Sequence, residues 1–306
     1  MIIDAHCHLL PEDIVNNAHF YSKDWCNLDA QVLQMEKAGV DKAVLSYPTS
    51  DAHLRMGGLD KIVEIYNERI SAVIKAHPDR FIGAAILPVH DEKAMMAEAK
   101  RVTCDLGFKA FSLATSMDGV YLDDTRYYAL YFEAQKHNIP IFVHAQIINP
   151  IGFAQVQDPL LTPVIEYVFE TTICIGKMMM EGIFDKFSGV KFIFAHFGGV
   201  TPFLAHRYDM TYSMLRRVNF VKDIGELPTE HLKSIYVDTS GDGSVANFMS
   251  SLELFGSEHI LWGSDYPAKR DMSASFGVLD RLNLDETAKK NILGENLNRI
   301  LNEVKL

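Results

Sequence analysis

The sequence predicts an α/β fold, a single (β/α)8 TIM barrel with a short C-terminal helical extension. Three observations carry that prediction. Short apolar, β-branched runs alternate with longer amphipathic ones to the end of the chain. There are eight such runs. The length, 306 residues, suits one barrel with insertions, since such barrels typically run about 250 residues and can exceed 400. Strict alternation implies parallel strands joined by right-handed helical crossovers, and eight units close better than they stay open.

The elements follow in order. Strand one spans residues 2–8, then a long segment, 9–27, leads to a helix at 28–38. Strand two (42–47) precedes a helix at 59–76, and strand three (80–87) one at 92–106. Strand four (108–113) is followed by a helix at 125–137. Strand five (140–144) opens a second long segment, 146–161, and a helix at 163–187. Strand six (191–196), a helix at 202–215, strand seven (234–239) and strand eight (259–264) complete the set. The runs IPIFVHA and VKFIFAH are nearly all apolar, as strands buried on both faces must be. From residue 285 the pattern predicts two short helices covering the outside of the barrel. Both long segments fall at the C-terminal rim, where barrel active sites gather. No repeat, linker or low-complexity segment divides the chain, so residues 1–306 read as one domain.

Composition narrows the function. With 48% hydrophobic and 23% charged residues a large core is available. A formal charge of −11 without any Lys/Arg cluster disfavours nucleic acid and anionic membranes, so neither is expected as a partner. Cys7, Cys26, Cys104 and Cys174 form no CxxC pair and read as reduced thiols of a cytoplasmic protein. MIIDAHCHLL has no basic n-region and is broken by charged and polar groups, so it is no signal peptide, and no run of about 18 apolar residues spans a membrane.

The chemistry sits at strand ends. His6 and His8 lie two apart on strand one, so both project to one side and Cys7 to the other. Strand five ends in His144, strand six in His196, and strand eight runs into Asp265. One buried histidine is ordinarily a hydrogen-bonded core residue. Several at the same rim, with an aspartate, point to a metal site.

The set HxH, VHA, AHFGG and WGSDYP resembles the amidohydrolase superfamily. It is most similar to the amidohydrolase family 2 branch, which includes aminocarboxymuconate-semialdehyde decarboxylase and the γ-resorcylate-type decarboxylases. YVDTSG and the stretch from FETTICIG to HRYD fit the same pattern, and the similarity covers nearly the whole chain. The resemblance implies that His6, His8, His144 and Asp265 ligate one divalent metal. It implies that His196 and Asp265 are catalytic, moving protons or stabilising charge. Binuclear members carry a carboxylated lysine at the end of strand four. Here Lys109 lies near the start of that strand and Ser112 and Leu113 at its end, so a mononuclear site is expected.

Imidazole and carboxylate ligands suit zinc, with manganese as the competitor. The same side chains permit two reactions. A carboxy-lyase would lose CO₂ from a small aromatic or unsaturated carboxylic acid, with Asp265 or His196 protonating the carbon. A hydrolase would open a lactone, ester or amide. The resemblance implies the lyase, and also a homodimer. Other residues are weaker candidates. Asp4 and Asp238 would support ligands by hydrogen bonds, and Gly198 and Gly199 would make the turn after strand six. Arg207 and Asp209 read as an ion pair as readily as a substrate contact. Trp262 and Met178–Met180 read as packing, and Tyr47, Phe153 and Phe169 as an aromatic pocket wall.

Overall fold

A computed structural model describes residues 1–306. Eight parallel strands form one sheet in chain order. They are β1 (Ile3–Cys7), β2 (Lys42–Leu45), β3 (Phe81–Ala85), β4 (Ala110–Ala114), β5 (Ile141–His144), β6 (Phe192–Phe194), β7 (Tyr236–Asp238) and β8 (Ile260–Leu261). The sheet closes on itself where Ala5 N donates to Trp262 O (2.9 Å), His8 N to Tyr266 O (2.8 Å) and Asp265 N to His6 O (2.8 Å). Gly263 is required at this seam, because a Cβ there would stand 2.6 Å from the Cβ of His6. All eight predicted strands are present, shorter by one to four residues. Strand eight pairs regularly only at Ile260 and Leu261, since the chain then bends inward to present Asp265.

The crossover helices are α1 (Leu28–Ala38), α2 (Leu59–Ala76), α3 (Glu92–Cys104), α4 (Tyr128–His137), α5 (Tyr167–Glu181), α6 (Thr201–Arg216) and α7 (Val245–Phe255). Their ends follow local chemistry. Asn27 accepts from Ala30 N to start α1, which stops at Gly39 in the left-handed region (φ 69°). Asp91 caps α3 through Ala94 N.

Alternation along the strands divides the core in two. Phe111, Ile141, Val143, Phe192, Phe194 and Trp262 face the helices in the larger cluster. Ile3, Val44, Phe142, Ile193, Tyr236 and Leu261 fill the barrel interior. That interior is sealed by Leu297, Ile300 and Leu301 of a last helix, α8 (Asn296–Asn302). Lys305 N then donates to His137 O, at the foot of the strand β5 entry. The expectation that the tail covers the barrel outside is therefore corrected. Those three side chains share one helical face at i, i+3 and i+4, and the only apolar surface left for it is the floor of the barrel.

β1 contains the irregularity that builds the site. Ile3 and Ala5 point inward, yet Cys7 joins the outer cluster. A register shift against β2 between Asp4 and Cys7 reverses the alternation. His6 and His8 thereby turn into the mouth of the barrel rather than toward the helices.

Candidate metal centre

Three of the four rim histidines are oriented by a hydrogen bond to Nδ1. His6 Nδ1 lies 2.9 Å from Asp238 Oδ2, His8 Nδ1 3.0 Å from Ser46 O, and His144 Nδ1 2.9 Å from Ala145 O. These partners are acceptors, so each Nδ1 carries a hydrogen and the neutral form of each ring presents a lone pair at Nε2. The Nε2 atoms of His6 and His8 then face each other at 3.0 Å. Two lone pairs so close repel unless a cation lies between them. Asp265 Oδ1 stands 3.5 Å from His6 Nε2 and 3.6 Å from His8 Nε2. His144 completes a set with His6 and His8, and His196 another with His6 and Asp265, the donor atoms of each lying within 4.8 Å of one another. Donors that share one ion at about 2.1 Å each stand about 3–3.4 Å apart, close to the separations among His6, His8 and Asp265, so these three fit around a single small ion with His144 and His196 beside them.

The electrostatics agree. Burial lowers the basicity of His8 and still more of His144, which also feels His6 and His8, so both are neutral donors. Burial would do the same to His6, but Asp238, Asp265 and Asp4 outweigh it and place its pKa at about 9, so without an ion a proton on its Nε2 faces His8, at the point where a metal ion would replace it. Burial pushes Asp265 upward, yet the imidazoles of His8, His196 and His6 around it outweigh burial and hold it well below the usual carboxylate range. Ionised carboxylate and lone-pair nitrogens around one point make a cluster that demands positive charge.

His196 arrives differently. It follows β6 in the left-handed region (φ 53°), and its N–H donates to Ser240 Oγ (3.0 Å) and Asp238 Oδ1 (3.3 Å). The turn it opens is tight. A Cβ on Gly199 (φ 69°) would stand 2.1 Å from Val168 O, so glycine is obligatory there. Burial lowers the pKa of His196.

A family model described as amidohydrolase matches residues 3–302. The chain belongs to the amidohydrolase family. It is 24% identical to 2-amino-3-carboxymuconate-6-semialdehyde decarboxylase of Dictyostelium discoideum, over 96% of this chain and 82% of that one. It is 25% identical to γ-resorcylate decarboxylase of Rhodococcus jostii, over 91% and 93%. Its fold matches 5-carboxyvanillate decarboxylase of Novosphingobium aromaticivorans, solved with manganese and 4-hydroxy-3-methoxy-5-nitrobenzoic acid. That match has a TM-score of 0.84 at 19% identity and covers 99% and 96% of the two chains.

Within this amidohydrolase barrel the remaining candidates divide. Asp4 is buried and accepts from His6 N and Ser264 N, which joins the ends of β1 and β8. Burial raises its pKa to about 7, against the opposing hydrogen bonds of Ser264 and His6. Lys109 is exposed just before β4, whose rim end is Leu113 and Ala114; Ser112, at mid-strand, accepts from Tyr47 N. Arg207 and Asp209 do not pair; Asp209 instead accepts from Thr229 N and Oγ1. Trp262 is core, its indole donating to Ser275 Oγ. Tyr47 lines a cleft at the rim, whereas Phe153 and Phe169 are exposed and form no wall with it. The aromatic wall comes from the segment after β1. Trp25 stacks on His8 (centroids 5.6 Å, 18° between planes) and packs on Tyr21 at 4.4 Å. Nothing in the local sequence marks Trp25, because a loop residue has no periodicity to betray its direction.

Proposed function

We propose that the chain is a mononuclear metal-dependent carboxy-lyase that removes CO₂ non-oxidatively from a small aromatic or unsaturated carboxylic acid. His6, His8, His144 and Asp265 would hold the ion. The convergence of these donors from β1, β5 and the end of β8, with no lysine at the end of β4, carries this reading. The relatives named as decarboxylases support the lyase over hydrolysis of a lactone, ester or amide with the same side chains.

When bound, a divalent ion supplies a Lewis acid that draws electron density from oxygen atoms of the substrate. The protein does the rest. Asp265 lies beside the reacting centre and, ionised at rest, would first take up a proton that His196 relays from water and then pass it to the carbon that loses CO₂. His196 borders a solvent-open cavity and is placed to return a proton from water, which restores the balance after C–H replaces C–C. Trp25 and Tyr21 wall one side and exclude water from His8. Zinc suits the imidazole-rich donors, and manganese, present in the solved relative, is the competitor.

We further read residues 1–306 as one domain, since both termini contribute to the barrel core, and place the protein in the cytoplasm as a homodimer. No helix is long and apolar enough to cross a membrane. Phe203, Met210 and Met214 form an exposed apolar stripe along α6, which suits a dimer face.

The test is product analysis. Metal-loaded protein should release CO₂ from at least one member of a panel of hydroxybenzoates and muconates. Acid release from esters or lactones, with no CO₂ from the panel, would favour the hydrolase.

A further inference from the structure

The sheet ladder that fixes β5 ends at His144, whose carbonyl accepts from Thr115 N at 2.9 Å. The imidazole of His144 takes its direction from the next peptide, because its Nδ1 bonds to Ala145 O. Whatever holds that peptide therefore aims the ring. On its other edge the same peptide presents the N–H of Gln146, which donates to Thr115 Oγ1 at 2.9 Å. Thr115 is fully buried, so its hydroxyl hydrogen needs an acceptor, and the one in reach is Glu170 Oε1 at 3.4 Å. Glu170 is the glutamate of the FETTICIG run, lies on α5 and is only 1% exposed. Three other donors fix it in place. Ser116 Oγ reaches its Oε1 at 2.7 Å, and Tyr121 Oη and Ile151 N reach its Oε2 at 3.0 Å and 2.9 Å.

Hydrogen bonds in series polarise one another, and an imidazole whose Nδ1–H is firmly accepted is a better aimed and more basic ligand. We propose that Glu170 is a positioning residue for His144, acting through the Thr115 hydroxyl and the peptide between Ala145 and Gln146. It does so from a helix that supplies no ligand. His6 and His8 stand outside this path, since Asp238 and Ser46 O aim them. The effect is therefore confined to one ligand of the centre. This rests on the reading of His144 as a metal ligand given above.

Two measurements on the full chain test it without requiring turnover: Co²⁺ affinity by competition with a chelating dye, and the proton NMR spectrum of the Co²⁺-loaded protein. In that spectrum the paramagnetic ion shifts the exchangeable Nδ1–H of each ligand imidazole out of the crowded region. Thr115→Val should weaken Co²⁺ about ten-fold and displace one such resonance while leaving the others in place. Thr115→Ser, which keeps the hydroxyl, should stay within about two-fold of wild type. Glu170→Gln, which turns one acceptor oxygen into a donor, should weaken Co²⁺ about three-fold or more and displace the same resonance. Tyr121→Phe removes a donor from Glu170 off the path and should do neither. Wild-type affinity and an unmoved spectrum in Thr115→Val or in Glu170→Gln would overturn the proposal. Equal weakening in Tyr121→Phe or Thr115→Ser, or displacement of every resonance, would overturn it too, as a general loosening of the rim. Should Glu170→Gln fail to fold, the two Thr115 variants decide. Unchanged Co²⁺ binding in His144→Ala would remove the ligand reading itself, and the proposal with it.

Discussion

At the residue scale the site is a set of imidazoles fixed by what lies behind them. His6 is aimed by Asp238, which also accepts from the backbone of His196 and from the Ser240 hydroxyl. One carboxylate therefore orients a proposed ligand on β1 and the turn after β6. Asp238→Asn should keep the fold and weaken metal binding about 10- to 100-fold, measured by competition with a chelating dye. His144→Ala should lose the bound ion, from about one per chain to a small fraction by elemental analysis; unchanged content would sink the ligand assignment. Trp25 offers a direct reporter, since the chain has two tryptophans and Trp262 is fully buried in the core. In a Trp262→Phe background, loading with Mn²⁺ should change Trp25 emission through its stack on His8. His196 and Asp265 both hold positive φ without being glycine (53° and 60°). That is backbone strain of the kind folds maintain at sites of chemistry.

At the scale of elements, the segment after β1 is tied down by its neighbours. Tyr21 donates to Thr49 O, Arg270 pairs with Asp24 at 3.0 Å, and His19 and Arg55 both reach Asp51. Burial raises the pKa of Asp51, but hydrogen bonds from Arg55 and His19 outweigh it and set it at about 2. The folded value lies below the unfolded value of about 3.9, so the tether contributes fully above about pH 4 and is lost as pH falls through about 2. Proteolysis within residues 9–27 should accelerate over that window. At neutral pH Asp51→Asn should already show the faster cleavage, and no difference from wild type would count against the tether. Most of these elements were legible from periodicity. α1 and α2 begin and end where predicted, because caps and an amphipathic stripe are local properties. The contacts of the rim segments were not legible, since loops carry no period and their partners lie far away in sequence.

At the scale of the whole molecule, closure is shared between the two ends of the chain. β1 meets the β8 strand, and α8 plugs the floor beneath both. Leu297→Ala would leave a hole against Ile3 and the other interior side chains. It should cost about 2–5 kcal/mol of stability, seen as a lowered Tm with metal content retained. The α6 stripe belongs to this scale as well. Phe203, 84% exposed, should convert the proposed dimer to a monomer when changed to glutamate, with light scattering as the readout.

The residues alone determined the number of strands, their parallel order and the identity of five rim groups, because a barrel buries its strands on both faces and collects its chemistry at one end. They also determined that His6 and His8 share a side, which follows from a two-residue repeat. Only the tertiary structure decided which side. Simple alternation from Ile3 and Ala5 would have sent both imidazoles out toward the helices, and the register shift in β1 turns them inward. The tertiary structure likewise turned Asp238 from a candidate into the group that aims His6. It moved the aromatic wall to Trp25 and the C-terminal helix to the barrel floor. In each case the deciding contact joins residues far apart in sequence, and no local pattern encodes where such partners meet.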